Sequence, residues 1–108
     1  MTNFRKISEA VAFASDKMKK NGLFETERLF CDLYCFEPGQ SQAPHTHDGS
    51  DKIYYVVEGR GFFSIGEEER ELAAGEIAMA PSSLRHGVEN RATGRLMLLV
   101  FMAPKPHK

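Results

Sequence analysis

From Arg28 onward, glycine and proline cut this chain into short β-forming runs. Arg28 to Phe36 is closed by Glu37-Pro38-Gly39, Lys52 to Val57 by Glu58-Gly59, and Ile77 to Ala80 by Pro81. Arg95 to Met102 runs into a tail with two prolines. Proline cannot donate to a central ladder and glycine permits tight turns, so this punctuation marks strand ends. Many short strands spaced in this way predict an all-β sandwich or barrel. Gly61 to Ile65 is a further short strand, and Gly66 with the charged run Glu67 to Glu71 reads as an exposed turn.

The strands are apolar on both sides. In Arg28 to Phe36, Leu29, Cys31, Leu33 and Cys35 share one face, and Phe30, Asp32, Tyr34 and Phe36 share the other. In Lys52 to Val57, Lys52, Tyr54 and Val56 oppose Ile53, Tyr55 and Val57. Arg95 to Met102 is apolar without alternation, as in a strand buried on both faces. One face lines a barrel interior, so something covers the exterior: a partner subunit or the N-terminal segment. A homodimer is expected. At the N-terminus, Asn3 to Ile7 reads as a short strand or arm, and Ser8 as the cap of a brief helix through about Phe13. Asn21-Gly22 is a turn signal, and Lys17, Lys19 and Lys20 read as a solvated face.

The 108 residues fit one domain spanning 1–108, with its core at about 28–104. A net charge of −1 argues against nucleic acid or an anionic membrane as partner. No apolar stretch approaches the roughly 20 residues that cross a bilayer, and MTNFRKISEA lacks the apolar segment of a signal peptide. A cytoplasmic, reducing location is expected. Cys31 and Cys35 stand about 13 Å apart if their strand is regular, at roughly 3.3 Å per residue. A disulfide needs about 7 Å or less, so both are expected as free thiols packed in the core.

Three of the four histidines fall in two turn-bounded segments. His45 and His47 are one residue apart, and in an extended chain they face the same way. His86 lies in GEIAMAPSSLRHGVEN, residues 75 to 90. A fold that joined these segments would bring three neutral nitrogen donors to one point. Three protein ligands and an open position is a common plan for catalytic metal sites. His107 lies in the polar tail and reads as solvated.

The two segments resemble the paired motifs of the cupin family, G(X)5HXH(X)3–4E(X)6G and G(X)5PXG(X)2H(X)3N. Gly39, His45, His47 and Gly59 fall on the first, with Lys52 where the glutamate belongs. Gly75, Pro81, His86 and Asn90 fall on the second, with Ser83 at the middle glycine. The resemblance covers roughly residues 28 to 104 and is closest to small single-domain bacterial cupins. It implies a double-stranded β-helix, or jelly-roll, barrel with a short N-terminal arm or helix. It also implies a divalent transition metal, iron, manganese, nickel or zinc, on His45, His47 and His86.

Asp51 is the obvious substitute for the missing carboxylate, but a one-residue offset turns it to the opposite face unless a bulge intervenes. Lys52 shares the metal-facing side by alternation. An ammonium about 4 Å from a dication would be repelled by roughly 8 kcal/mol at an effective dielectric of 20. The side chain could swing to solvent, lose its proton, or share an anionic ligand with the metal. The reading favoured is the shared anion. Lys52, Tyr54 and Arg85 are accordingly the candidate ligand-binding residues. The implied function is a metal-dependent enzyme on a small anionic oxygenated molecule, of dioxygenase, isomerase or decarboxylase type. The alternative is a non-catalytic cupin that binds or senses a small ligand, with or without metal.

Overall fold

A computed structural model describes residues 2–106. Among them are nine strands: β1 (Lys19–Glu25), β2 (Phe30–Phe36), β3 (Ser41–His45), β4 (Asp51–Glu58), β5 (Arg60–Ile65), β6 (Glu68–Ala73), β7 (Ile77–Ala80), β8 (His86–Glu89) and β9 (Leu96–Ala103). They form two antiparallel sheets, ordered β1-β2-β9-β4-β7 and β3-β8-β5-β6. The architecture is the expected jelly-roll barrel.

The doubled apolar faces of β2 are resolved into two cores. Tyr34 and Phe36 point into the barrel with Tyr54, Val56, Phe63, Leu72, Val88, Leu96, Leu98 and Val100. Cys31, Leu33 and Cys35 point outward into a second cluster with Ala10 and Leu23, flanked by Phe13 and Phe24. The N-terminal segment is therefore what covers this part of the exterior. Each large side chain fully buried in this way contributes about 1.5–3 kcal/mol. Both cysteines are buried free thiols, as expected from their spacing.

Three local expectations need correction. The brief helix is a single 3-10 turn, Ile7–Ala10, whose N-cap is Lys6 and not Ser8. Glu9 does sit in its first turn and accepts a bond from the Lys6 amide at 3.3 Å. Of the two readings of Asn3 to Ile7, strand or arm, the arm holds over Asn3 to Lys6. Asn21-Gly22 does not turn the chain: it lies inside β1, where the register with β2 shifts between Gly22 and Phe24. Glycine at a bulge leaves the same local mark as glycine in a turn. Glu68 to Glu71 are strand, and only the residues just before them turn. β6 is an edge strand paired to β5 alone, and its charged residues are exposed. Charged edges blunt unwanted pairing.

Gly59 shows why one motif position must be glycine. Its φ is +88°, and a Cβ there would lie 2.3 Å from the Arg95 carbonyl oxygen. Asn90, the last position of the second motif, is a structural clamp. Its Nδ2 donates to the Phe36 and Gly94 carbonyls at 3.3 and 2.9 Å, and its Oδ1 accepts from the Ala92 amide.

Candidate functional site

β3 and β8 carry the histidines to one end of the barrel. His45 closes β3, His86 opens β8, and the two are cross-strand partners. The register between β3 and β8 shifts between Gln42 and His45, which brings the Pro44 backbone against Gly87. A Cβ on Gly87 would come within 2.9 Å of the Gln42 carbonyl oxygen and the Pro44 nitrogen, so the residue after His86 has to be glycine. His47 follows β3, where its carbonyl accepts from the Ser83 amide at 3.0 Å. That contact ties the two histidine segments together.

The three imidazoles form a group whose ligand-type nitrogens lie within 4.8 Å of one another. Ring centroids are 4.7 Å apart for His45 and His47, 4.4 Å for His45 and His86, and 5.7 Å for His47 and His86. The backbone selects the tautomers of two of them. His45 Nδ1 lies 2.8 Å from the Ala43 carbonyl, and His86 Nδ1 lies 2.8 Å from the Leu84 carbonyl. A carbonyl only accepts, so both Nδ1 atoms carry the proton and both Nε2 atoms keep a bare lone pair. His86 Nε2 is buried and has no hydrogen-bond partner among the described residues. A bare, buried Nε2 with its opposite nitrogen held by a carbonyl is the usual preparation of a metal-ligating histidine. The residues present thus fit a metal. Two nitrogens sharing a metal at about 2.1 Å lie at most about 4.2 Å apart, so small side-chain rotations would complete the set.

Burial holds all three imidazoles below their usual pKa, and the Lys52 amine adds to this. The largest shift is at His47, which burial and then His45 pull down to about 4. Neutral imidazole is the form that binds metal.

Lys52 is 1% exposed and points into the barrel, as alternation predicts. It has not swung to solvent. Its Nζ donates to Gln42 Oε1 at 3.3 Å and lies 5.2 and 5.0 Å from the ring centroids of Tyr34 and Tyr54. Burial first, then the charge of Lys20, lower its pKa to about 7, while Asp32 works in the opposite direction. Tyr54 is fully buried, and its hydroxyl donates to the same Gln42 oxygen at 3.0 Å. Burial pushes the Tyr54 pKa up, and that of Tyr34 up to about 12, so both stay phenols. Asp51 is exposed and accepts from the Ser82 amide at 2.9 Å, on the far side of the strand from Lys52. Arg85 is exposed, and its charge reaches His45. His107 lies outside the described residues.

One member of this cluster escapes a reading of the motifs. Gln42, 8% exposed, accepts from both Lys52 and Tyr54, and Ser41–His45 has no apolar alternation that would mark it as inward. Ser83 takes a positive φ of 71° where the motif has glycine. Its hydroxyl donates to Asp48 Oδ1 at 2.9 Å, a bond glycine could not make.

The cupin domain family matches residues 32–102, and the chain belongs to that family. A solved structure of the TT1209 protein from Thermus thermophilus superposes with a TM-score of 0.94 at 41% identity, covering 97% of this chain and all of that one. An oxalate-binding protein of Thermotoga maritima is 29% identical over 85 residues, which are 79% of this chain and 69% of the relative. The tetracenomycin polyketide synthase protein TcmJ of Streptomyces glaucescens is 33% identical over 72 residues, 64% of this chain and 48% of that protein. Among the described residues, no helix is long and apolar enough to cross a membrane.

Proposed function

We propose that His45, His47 and His86 hold a divalent transition metal, iron, manganese, nickel or zinc, and that the protein is an enzyme acting there on a small anionic oxygenated molecule. The observation that carries this is the buried, unpartnered Nε2 of His86, with its Nδ1 committed to the Leu84 carbonyl. When bound, the metal supplies Lewis acidity or, if redox-active, electron transfer, consistent with isomerase, decarboxylase or dioxygenase chemistry. The protein's own part is to position the ligand and shield it from water. Lys52 stands where other cupins place a carboxylate, so the side chains at the metal carry no negative charge of their own. An anionic ligand would supply it, meeting the metal on one side and the Lys52 ammonium on the other. Tyr54 orients Lys52 through Gln42, and Arg85 meets the incoming anion at the mouth.

A non-catalytic binding role is the second reading, and the relative named as an oxalate-binding protein favours it. Metal-loaded protein mixed with oxalate and other small carboxylates separates the two. An enzyme consumes dioxygen, releases carbon dioxide or isomerises one of them, whereas a binder returns all of them unchanged. Failure to bind any of them with metal present would contradict both.

The same proposal includes a second copy of this chain as partner. On the outer face of β4, β7 and β9, Ile77 is 62% exposed, Met79 53%, Phe101 38% and Tyr55 37%. Tyr55 pairs with Ile77, and Ile53 pairs with Met79 and Phe101, so these side chains form one continuous patch. Patches of this kind mark interaction surfaces. Sedimentation should give a dimer, and Met79→Lys a monomer; a monomeric wild-type protein at micromolar concentration removes this part. The buried free thiols suit a reducing cytoplasm.

A further inference from the structure

Lys52 is held inside the barrel without a counter-ion. Its Nζ has one hydrogen-bond acceptor, Gln42 Oε1 at 3.3 Å, whereas an ammonium brings three donors. It joins none of the salt bridges among the described residues, and the Asp32 charge acts on it less than that of Lys20. A buried lysine in such a place favours the free amine. With its pKa lowered to about 7, amine and ammonium coexist at neutral pH. An ordinary lysine near 10.4 is neutral in only about one molecule in a thousand at pH 7.4.

The surroundings suit a carboxylate on that nitrogen. Gln42 Oε1 is already shared by Nζ and the Tyr54 hydroxyl, so the Gln42 amide meets the Tyr34 hydroxyl as a donor. The Tyr34 proton is then left for another acceptor. The rings of Tyr34 and Tyr54 have their centroids 5.2 and 5.0 Å from Nζ, and Tyr54 stands 6.2 Å from the His86 ring. All three imidazoles feel the Lys52 charge. Lys52 also occupies the position at which the first motif carries its glutamate.

We propose that Lys52 is a carbamylation site: its free amine adds carbon dioxide, and the carbamate supplies the carboxylate that the motif otherwise takes from glutamate. The metal part of this rests on the histidine reading above. The nitrogen lone pair forms a C–N bond, one C–O π pair moves onto oxygen, and the nitrogen releases one proton to solvent. Nothing is oxidised or reduced. The remaining N–H still donates to Gln42 Oε1, and the Tyr34 hydroxyl gains its acceptor. Carbon dioxide is small and uncharged, so it enters the barrel without the desolvation cost of an ion. Ammonium and carbamate are exclusive forms of one residue: the first receives an anionic ligand, the second takes its place. Carbamate and metal dication attract each other, so each tightens the other by the same factor.

The test uses protein containing nitrogen-labelled lysine, with isotopically labelled bicarbonate as the source of carbon dioxide, followed by carbon nuclear magnetic resonance with and without zinc. The expected result is one carbamate resonance split by a lysine nitrogen, stronger with zinc and absent from Lys52→Met. The splitting excludes the α-amino group, and it is read in the wild type whether or not the variant folds. Bicarbonate should tighten zinc binding at least about tenfold in the wild type and not in Lys52→Met, and it should weaken binding of acetate to the zinc-loaded wild type. No split resonance with or without zinc overturns the proposal. So does an equal gain in zinc affinity in Lys52→Met, because bicarbonate is then a plain metal ligand. Zinc bound equally well with and without bicarbonate overturns it and leaves the histidine reading standing. Protein that binds no zinc contradicts the histidine reading instead, and the split resonance then decides the carbamate by itself.

Discussion

The two ends of the barrel interior are built from the same strands and differ in almost every physical respect. Along β4 the inward row runs Lys52, Tyr54, Val56, and along β8 it passes from His86 to Val88. One end is apolar: Phe36, Val56, Phe63, Leu72, Leu96 and Leu98 are all buried there. The other holds an amine, an amide, three imidazoles and two phenols, with His86 Nε2 unpartnered among the described residues. Stability thus comes from one end, and it permits an unfavourable concentration of polar groups at the other. Unsatisfied buried polar groups persist where function retains them.

Matched substitutions at the two ends should therefore act with opposite signs. Leu98→Ala leaves a cavity at the apolar end and should cost 2–5 kcal/mol, roughly, in urea unfolding. Lys52→Met at the polar end should stabilise the metal-free protein by on the order of 2 kcal/mol, because a buried amine whose pKa is lowered from 10.5 to about 7 opposes folding at neutral pH. Equal destabilisation by both would break the contrast.

The contrast also has a pH signature. Between about 7 and 10.5 the unfolded chain holds a proton on Lys52 that the folded chain has released. Stability therefore rises with pH through that window, and Lys52→Met should flatten the rise. At the acid side the unfolded chain takes up protons from about 6.5 downward, while His47 resists until about 4. Metal-free protein should thus lose stability across that interval. Urea midpoints at several pH values test both, and a Lys52→Met curve parallel to wild type would sink the first.

The apolar end was the more legible in the sequence. Its strands announce themselves by Gly and Pro boundaries and by two apolar faces, and β2, β4, β7 and β9 fall close to where those marks put them. The histidines were legible because their spacing matches a motif, and Lys52 because alternation is a strict two-residue rule. The misreadings share a cause. Asn21-Gly22 and the charged run of β6 carry turn-like and solvent-like composition, yet pairing with β2 and β5 outweighs local preference. Gln42 was invisible because its role depends on β4, ten residues on, and chain-local patterns do not report such contacts.

The smallest expected effect concerns Ser83. Ser83→Gly relieves a positive φ of 71° but removes the bond to Asp48, so stability should change by less than about 1 kcal/mol. Lys52→Glu sharpens the account of the polar end. It restores the carboxylate of the motif and should tighten metal binding while weakening affinity for small carboxylates. Unchanged metal affinity would mean that the Lys52 charge does not act on the site.

The most direct measurement is the metal content of protein purified without a histidine tag, for wild type and His86→Ala. The expected result is near-stoichiometric iron, manganese, nickel or zinc in the wild type and affinity more than about 100-fold weaker in the variant, since even outer partners of metal ligands change affinity 10- to 100-fold. Wild-type protein that takes up none of these metals, or a His86→Ala protein that keeps its metal, would contradict the account.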